Sequence, residues 1–293
     1  MKDLLVIGVC TNPSDQMKNW EHSLTINGYD YEIIGLGEKW GGWPWRTEQY
    51  IRKLKTLDPD IIVILSDVTD VLFIQRKDVF LSKFLSHDRN KVVIGAEPAC
   101  CTGEFSKNRE YANTEAKRKT SHRYRFPNGG VLFGRSSVLL NFLESNKSEE
   151  DDQAGYLKKW INGDNSFLLD TNQKFIANIP LMNKWVRVSD DSDMDEMNYW
   201  EIKDNTLMNN HSKETPVIVH FPGKNWKDYN IVGKKYLSEF RNIISDNSTP
   251  QKDGNDGKNR ILMWALIVLL ILLVLFICYK IYVNLTGSWR TDN

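Results

Sequence analysis

The chain contains no CxxC pair, no GxxxxGK[ST] loop, no GxGxxG fingerprint and no internal repeat. Those absences remove the usual sequence signs of a structural zinc site, a P-loop nucleotide enzyme, a dinucleotide enzyme and a solenoid. Neither sign of charge is in excess, because 38 Lys and Arg balance 38 Asp and Glu over 293 residues. No global field therefore draws the chain to an anionic polymer, and no nucleic-acid partner is expected. Cysteine is scarce, limited to Cys10, Cys100, Cys101 and Cys278. Adjacent cysteines rarely bond to each other, so this usage points to a reduced compartment or to a fold that needs no staples. The opening MKDLLVIGVCTNP has too short an apolar run for a leader and no small-residue cleavage site, so it reads as a first strand.

What the chain does have is enough apolar material for a packed core: 41% hydrophobic and 11% aromatic residues. From Ile261 to Tyr279 the sequence ILMWALIVLLILLVLFICY carries no charge. As a helix that run crosses about 30 Å of hydrocarbon. Arg260 and Lys280 bracket it, and Trp264, Tyr279 and Tyr282 lie near its ends, as at a membrane interface. The segment before it, SDNSTPQKDGNDGKN, has no apolar periodicity and reads as a linker. The expected organisation is a soluble domain at 1–245, a flexible linker at 246–259, a transmembrane helix at 260–283 and a short tail at 284–293. A single apolar helix so near the C-terminus predicts a tail anchor with the large domain on the cytosolic side. In a lumenal arrangement the sequons at Asn146, Asn210 and Asn247 would instead be open to glycosylation.

Within the large domain short apolar runs alternate with amphipathic stretches. LLVIGV, YEIIGL, IIVIL, KVVIGA, GGVLFG and VIVHF read as strands. TEQYIRKLKTL places Tyr50, Ile51, Leu54 and Leu57 on one face of a helix over 47–57. This alternation predicts an α/β fold, a mostly parallel sheet flanked by helices, with ligands beyond the carboxyl ends of the strands.

Four features stand out against that frame. ILSDVTDVLF sets Asp67 and Asp70 in an apolar run. Burying either carboxylate unpaired costs several kcal/mol, so the pair either faces water at a strand end or holds a cation. For both to reach one cation the chain must turn near Asp67, because a straight strand sends the two to opposite faces. EEDDQ, ending in Asp151, Asp152 and Gln153, reads on its own as an acidic helix start that complements the helix dipole. VIVHFPGKNWK ends a β-rich run on His220 and follows it with Gly223 and Lys224, an imidazole and a cation suited to a metal-bound phosphate. FPNGGVLFG brings Asn128, Gly129 and Gly130, where backbone can approach a ligand closely. Trp43 and Trp45, in WGGWPW, read equally as a lid over a ligand or as surface packing.

Taken in order, these segments resemble the GT-A glycosyltransferase domain of the procollagen lysyl hydroxylases and related collagen glycosyltransferases. VIGVCTN is similar to the family's first strand and IGLGEKWGG to its Leu-Gly-x-Gly-Glu-x-Trp segment. SDVTDVLF is similar to its Asp-x-x-Asp motif, with Thr69 where the family has Tyr, and PNGGVLFG to its Asn-x-Gly-Gly segment. DDQAGYLKKW and LDTNQKFIANI resemble its Asp-Asp-Gln helix and following strand, and HFPGKNW resembles its histidine loop and that of glycogenin-like enzymes. The resemblance implies a GT-A-type, Rossmann-like fold and transfer of a hexose from a UDP-sugar to an acceptor hydroxyl on a protein, such as hydroxylysine, or on a glycan. It implies Asp67, Asp70 and His220 as ligands of Mn²⁺, and Thr11, Trp40, Asn128, Gly129, Gln153, Gly223 and Lys224 around the nucleotide sugar. Asp152, with Asp151, is the expected catalytic acid pair, acting as general base or as electrostatic stabiliser of the transition state. The competing reading is an inactive sugar-nucleotide binder or membrane-anchored interaction protein that keeps the fold.

Overall fold

The computed structural model of the protein describes residues 3–100, 103–147, 149–180, 199–203 and 206–243. Contacts divide the chain into a unit at 1–244 and a second at 245–293, and the described residues all belong to the first. The expected linker, apolar helix and tail lie outside the described residues, as does Asn247. No helix among the described residues is long and apolar enough to cross a membrane.

The elements run β1 (Leu4–Val9), α1 (Asp15–Ile26), β2 (Tyr31–Ile34), α2 (Trp43–Leu54), β3 (Ile62–Ser66), β4 (Val71–Phe73), α3 (Lys77–Leu85), β5 (Val92–Glu97), a 3₁₀ turn at Gly103–Lys107 and α4 (Arg109–Lys119). They continue β6 (Phe126–Arg135), α5 (Ser136–Glu144), α6 (Asp152–Ile161), β7 (Phe167–Asp170), β8 (Ile176–Asn178), β9 (Trp200–Lys203), β10 (Thr206–Asn209), β11 (Ile218–His220) and α7 (Trp226–Tyr236). The main sheet has the order β2-β1-β3-β6-β5-β7. Its β1–β2, β1–β3 and β5–β7 pairs are parallel, while β6 runs antiparallel to both neighbours. A second sheet, β4-β11-β8, is entered from the first through the four residues between β3 and β4 and again through the five between β7 and β8. The fold is therefore mixed and parallel-rich α/β, in line with the expected class.

Alternation along β1 shows how the core is split. Leu5, Ile7 and Val9 face Tyr50, Ile51 and Leu54 of α2 and Leu139 and Phe142 of α5. Leu4 and Val6 face Trp20 and Leu24 of α1 and Phe80 and Phe84 of α3. Each such fully buried side chain contributes about 1.5–3 kcal/mol. Helices thus cover both faces of the main sheet, and the edge where its strands end stays open.

Two sequence expectations change. Helix α2 begins at Trp43 rather than Thr47, because Gly42 (φ 88°) turns the chain in and Pro44 suits the first helical turn. Cys100 is disulfide-bonded, where the cysteine usage points to a reduced compartment or a fold needing no staples, while Cys10 is free.

Candidate active site

The chain leaves β3 at Ser66, turns through Asp67–Asp70 and enters β4, so the turn required for both aspartates to face one point is present. It is held from several sides. Asp67 N–H donates to Gly130 O of β6 at 2.8 Å, and the Ser66 hydroxyl donates to Asp67 O at 2.7 Å. Phe221 N–H, just past β11, donates to Asp70 O at 2.8 Å. Gly8 of β1 leaves room for Val68 inside this turn, where a Cβ would collide with the valine.

His220 ends β11 beside the two carboxylates. One ligand atom from each of Asp67, Asp70 and His220 lies within 4.8 Å of the others, an arrangement that can hold a metal ion. His220 Nε2 stands 3.6 Å from Asp70 Oδ1, and Nδ1 lies 2.8 Å from Asn178 Oδ1. Gly130 makes this possible, since a Cβ there would strike the imidazole. The donor set fits a divalent ion that accepts oxygen and imidazole nitrogen together, such as Mn²⁺, better than Ca²⁺ with its all-oxygen preference.

A feature that the sequence reading did not pick out binds this cluster to the second acid. Arg46, in the first turn of α2 and 5% exposed, donates from Nη1 to Asp67 Oδ1 at 2.6 Å and from Nη2 to Asp152 Oδ2 at 2.5 Å. Nη2 also reaches Gly129 O at 3.4 Å, and the Trp43 ring lies 4.6 Å from the guanidinium carbon. Burial disfavours the Arg46 charge, yet Asp67 and Asp152 more than restore it, so its pKa is raised and the guanidinium stays charged. The only sign of it in the sequence is an arginine directly after WPW.

Asp151 and Asp152 part company. Asp151 caps α6, accepting from Ala154 N–H at 3.0 Å, as an ordinary acidic helix start would. Asp152, one residue on, is buried and points at Arg46. Gln153 links the double-glycine segment to β5: its Oε1 accepts from Gly129 N–H at 3.0 Å, and its Nε2 donates to Glu97 Oε1 at 2.6 Å. Asn128 Oδ1 accepts from Gly130 N–H at 2.9 Å.

The electrostatics follow from burial among like charges. Burial, reinforced by Asp70 and Asp152, pushes the Asp67 carboxyl up to about 6 against the pull of Arg46 and His220. Burial lifts Glu97 to about 7, although His220, Asn128 and Gln153 favour its charged form. Burial lowers His220, but Asp70, Asp67 and Glu97 outweigh it, and the imidazole is held above its ordinary value.

A cleft of about 200 Å³ opens over these groups. It brings together the expected Asp67, Asp70, His220, Asn128, Gly129, Asp151, Asp152, Gln153 and Gly223, with Arg46 and Trp43 added. Three expected residues do not line it. Thr11 is engaged after β1, where its carbonyl accepts from Gly37 N–H at 2.9 Å. Trp40 stands exposed, edge-on to Trp43 at 5.3 Å and to Trp45 at 5.4 Å. Lys224 is exposed in a left-handed turn (φ 63°). The two remaining tryptophans separate as well: Trp45 packs against the core, and only Trp43 forms cleft wall.

The chain is also similar to known proteins. The family model described as PLOD GT domain matches residues 1–250. A multifunctional procollagen lysine hydroxylase and glycosyltransferase of Caenorhabditis elegans is 29% identical over 201 residues, covering 61% of this chain and 26% of that protein. Uncharacterized protein R699 of Acanthamoeba polyphaga mimivirus is 22% identical over 266 residues, covering 87% of this chain and 53% of its own length. The chain thus spans about a quarter of the worm relative and about half of the viral one. Among solved structures, a glycosyltransferase involved in the glycosylation of the major capsid of PBCV-1 aligns at 10% identity and TM-score 0.43, over 79% of this chain and 98% of that one. With the family model covering most of its length, the chain belongs to the PLOD GT domain family of glycosyltransferases.

Proposed function

We propose that the cleft transfers a hexose from a UDP-sugar to an acceptor hydroxyl, on a protein side chain such as hydroxylysine or on a glycan. The observation that carries this reading is the joining of Asp67, Asp70 and His220 to Asp152 through one buried guanidinium. Asp67, Asp70 and His220 would hold a divalent cation, Mn²⁺ by its donor preference, which when bound neutralises charge on a leaving diphosphate. Gly129 and Gly130, without side chains, let Arg46, Asp152 and His220 close in on the cleft in which the sugar would lie, with Asn128 and Gln153 in its lining. Arg46 fixes the Asp152 carboxylate through a charge-assisted hydrogen bond. A carboxylate whose oxygen is already engaged by a guanidinium is placed to act by its charge on an oxocarbenium-like transition state. Asp151 serves α6 as its cap. The apolar run at 261–279 supports attachment to a membrane as part of the same reading.

The test is UDP release by the full-length chain from a panel of UDP-sugars with Mn²⁺. Release from one UDP-hexose, lost in excess chelator and in Asp67→Ala, is the expected result. Release that persists in chelator removes the cation from the reading. UDP binding with no turnover on any donor makes the chain a sugar-nucleotide binder instead.

A further inference from the structure

Behind the Asp67–Asp70–His220 cluster a buried chain of polar groups leads away from the cleft, and it determines which nitrogen of His220 is free. It starts at Ala96 O in β5, which accepts from Asn178 Nδ2 at 2.6 Å and from Gln173 Nε2 at 3.0 Å. A backbone carbonyl can only accept, so it fixes the Asn178 amide with its NH₂ toward Ala96 and its oxygen toward His220. That oxygen lies 2.8 Å from His220 Nδ1. It too can only accept, so Nδ1 must carry the hydrogen. In the neutral ring Nε2 is then the bare nitrogen, and Nε2 is the one that faces Asp70.

Asn178 has little freedom to choose otherwise. It is fully buried, and its backbone N–H donates to Gln173 Oε1 at 2.8 Å. Gln173 is itself fully buried at φ 56°, a left-handed conformation that a residue with a Cβ seldom adopts. Its Nε2 also donates to Asp170 O at 3.1 Å, and three consecutive backbone N–H groups, from Lys174 to Ile176, donate to the Asp170 carboxylate at 2.9 Å each. Gly95 keeps the space open, since a Cβ there would come within 3.0 Å of Asn178 Nδ2. A strained glutamine, a glycine and a multiply bonded aspartate all converge on one amide.

We propose that Asn178 is a positioning residue that locks His220 in the Nδ1–H tautomer and so presents Nε2 as a metal ligand, with Gln173 and Ala96 O orienting Asn178. The link to metal rests on the cation reading above; the tautomer does not. Nitrogen-15 NMR of the full-length chain labelled in its histidine rings, at a pH where His220 is neutral, should show Nδ1 protonated and Nε2 bare. The opposite tautomer in the unsubstituted chain overturns the proposal. Asn178→Leu, close in size but unable to accept, should release Nε2–H and lower Mn²⁺ affinity about 10–100-fold. Asn178→Asp keeps an acceptor for Nδ1 and should retain the tautomer, with Mn²⁺ affinity within a few-fold of the parent. Unchanged Mn²⁺ affinity in a folded Asn178→Leu chain, or an Nε2–H tautomer in Asn178→Asp, also overturns it. Should Asn178→Leu fail to fold, the parent tautomer and Asn178→Asp decide. Should the parent chain take up no Mn²⁺, the cation reading falls while the tautomer still judges Asn178.

Discussion

Arg46 holds Asp67 of the candidate metal site and Asp152, the acid proposed to act on the sugar, in one planar fork, at 2.6 and 2.5 Å. Lysine keeps the charge but cannot reach both carboxylates in fixed geometry. Arg46→Lys should therefore lower turnover on the order of 100-fold, as small misplacements in active sites do, with circular dichroism unchanged. Asp152→Asn should lower turnover by about 10²–10³-fold while calorimetry shows UDP binding nearly intact, as the proposed electrostatic role in the transition state requires. A third expectation concerns protons. The Asp67 carboxyl is raised to about 6 and His220 is also raised, so bound protons compete with a cation at both. Mn²⁺ affinity should rise as pH increases through about 6, with proton release on binding, and titration calorimetry in buffers of different ionisation enthalpy measures both. Asp67, Asp70 and His220 were legible in the sequence because charged or polar residues in apolar runs need a reason. Arg46 was not, since it counts only once α2 begins early enough to turn its first residues into the cleft. Asn178 was hidden for a related reason: in FIANI an asparagine ending an apolar run looks like a turn.

The elements were read more easily than their directions. The apolar runs of β1, β3 and β5 show in composition, but a run looks the same whichever way it is paired. The antiparallel course of β6 follows from the connections around it, which local sequence does not encode. That course matters, because it carries Gly129 and Gly130 past the cluster, with Gly130 O receiving Asp67 N–H and Gly130 itself lying under the His220 ring. Gly130→Ala should therefore push the imidazole aside and weaken Mn²⁺ binding at least tenfold, read by electron paramagnetic resonance, although β6 itself tolerates alanine. Asn146, one of the sequon asparagines, is buried in the folded domain and donates to Asp152 O at 3.4 Å, so a glycan there would have to displace this packing.

For the whole domain the clearest pH signature comes from Glu97. Its folded value of about 7 stands above the ordinary 4.5, so the native state binds this proton more tightly than the unfolded chain. The penalty is absent below about 4.5, grows as pH rises and is complete above about 7, on the order of 3 kcal/mol. Denaturant unfolding should show stability falling over that interval, and Glu97→Gln should flatten the fall. Metal adds the opposite effect: Mn²⁺ at 100 times its dissociation constant should stabilise the domain by about 2.7 kcal/mol. The place of that stabilisation follows from the passage of the chain between sheets. Asp67 hangs from β3 of the main sheet, whereas His220 ends β11 of the second, and Asp70 enters that sheet at β4. A cation held by all three would rivet one sheet to the other where the four-residue turn from β3 to β4 passes between them. Local opening there would slow, so amide exchange in β4 and β11 should fall further on Mn²⁺ addition than exchange in β1, whose neighbours on both sides belong to a single sheet.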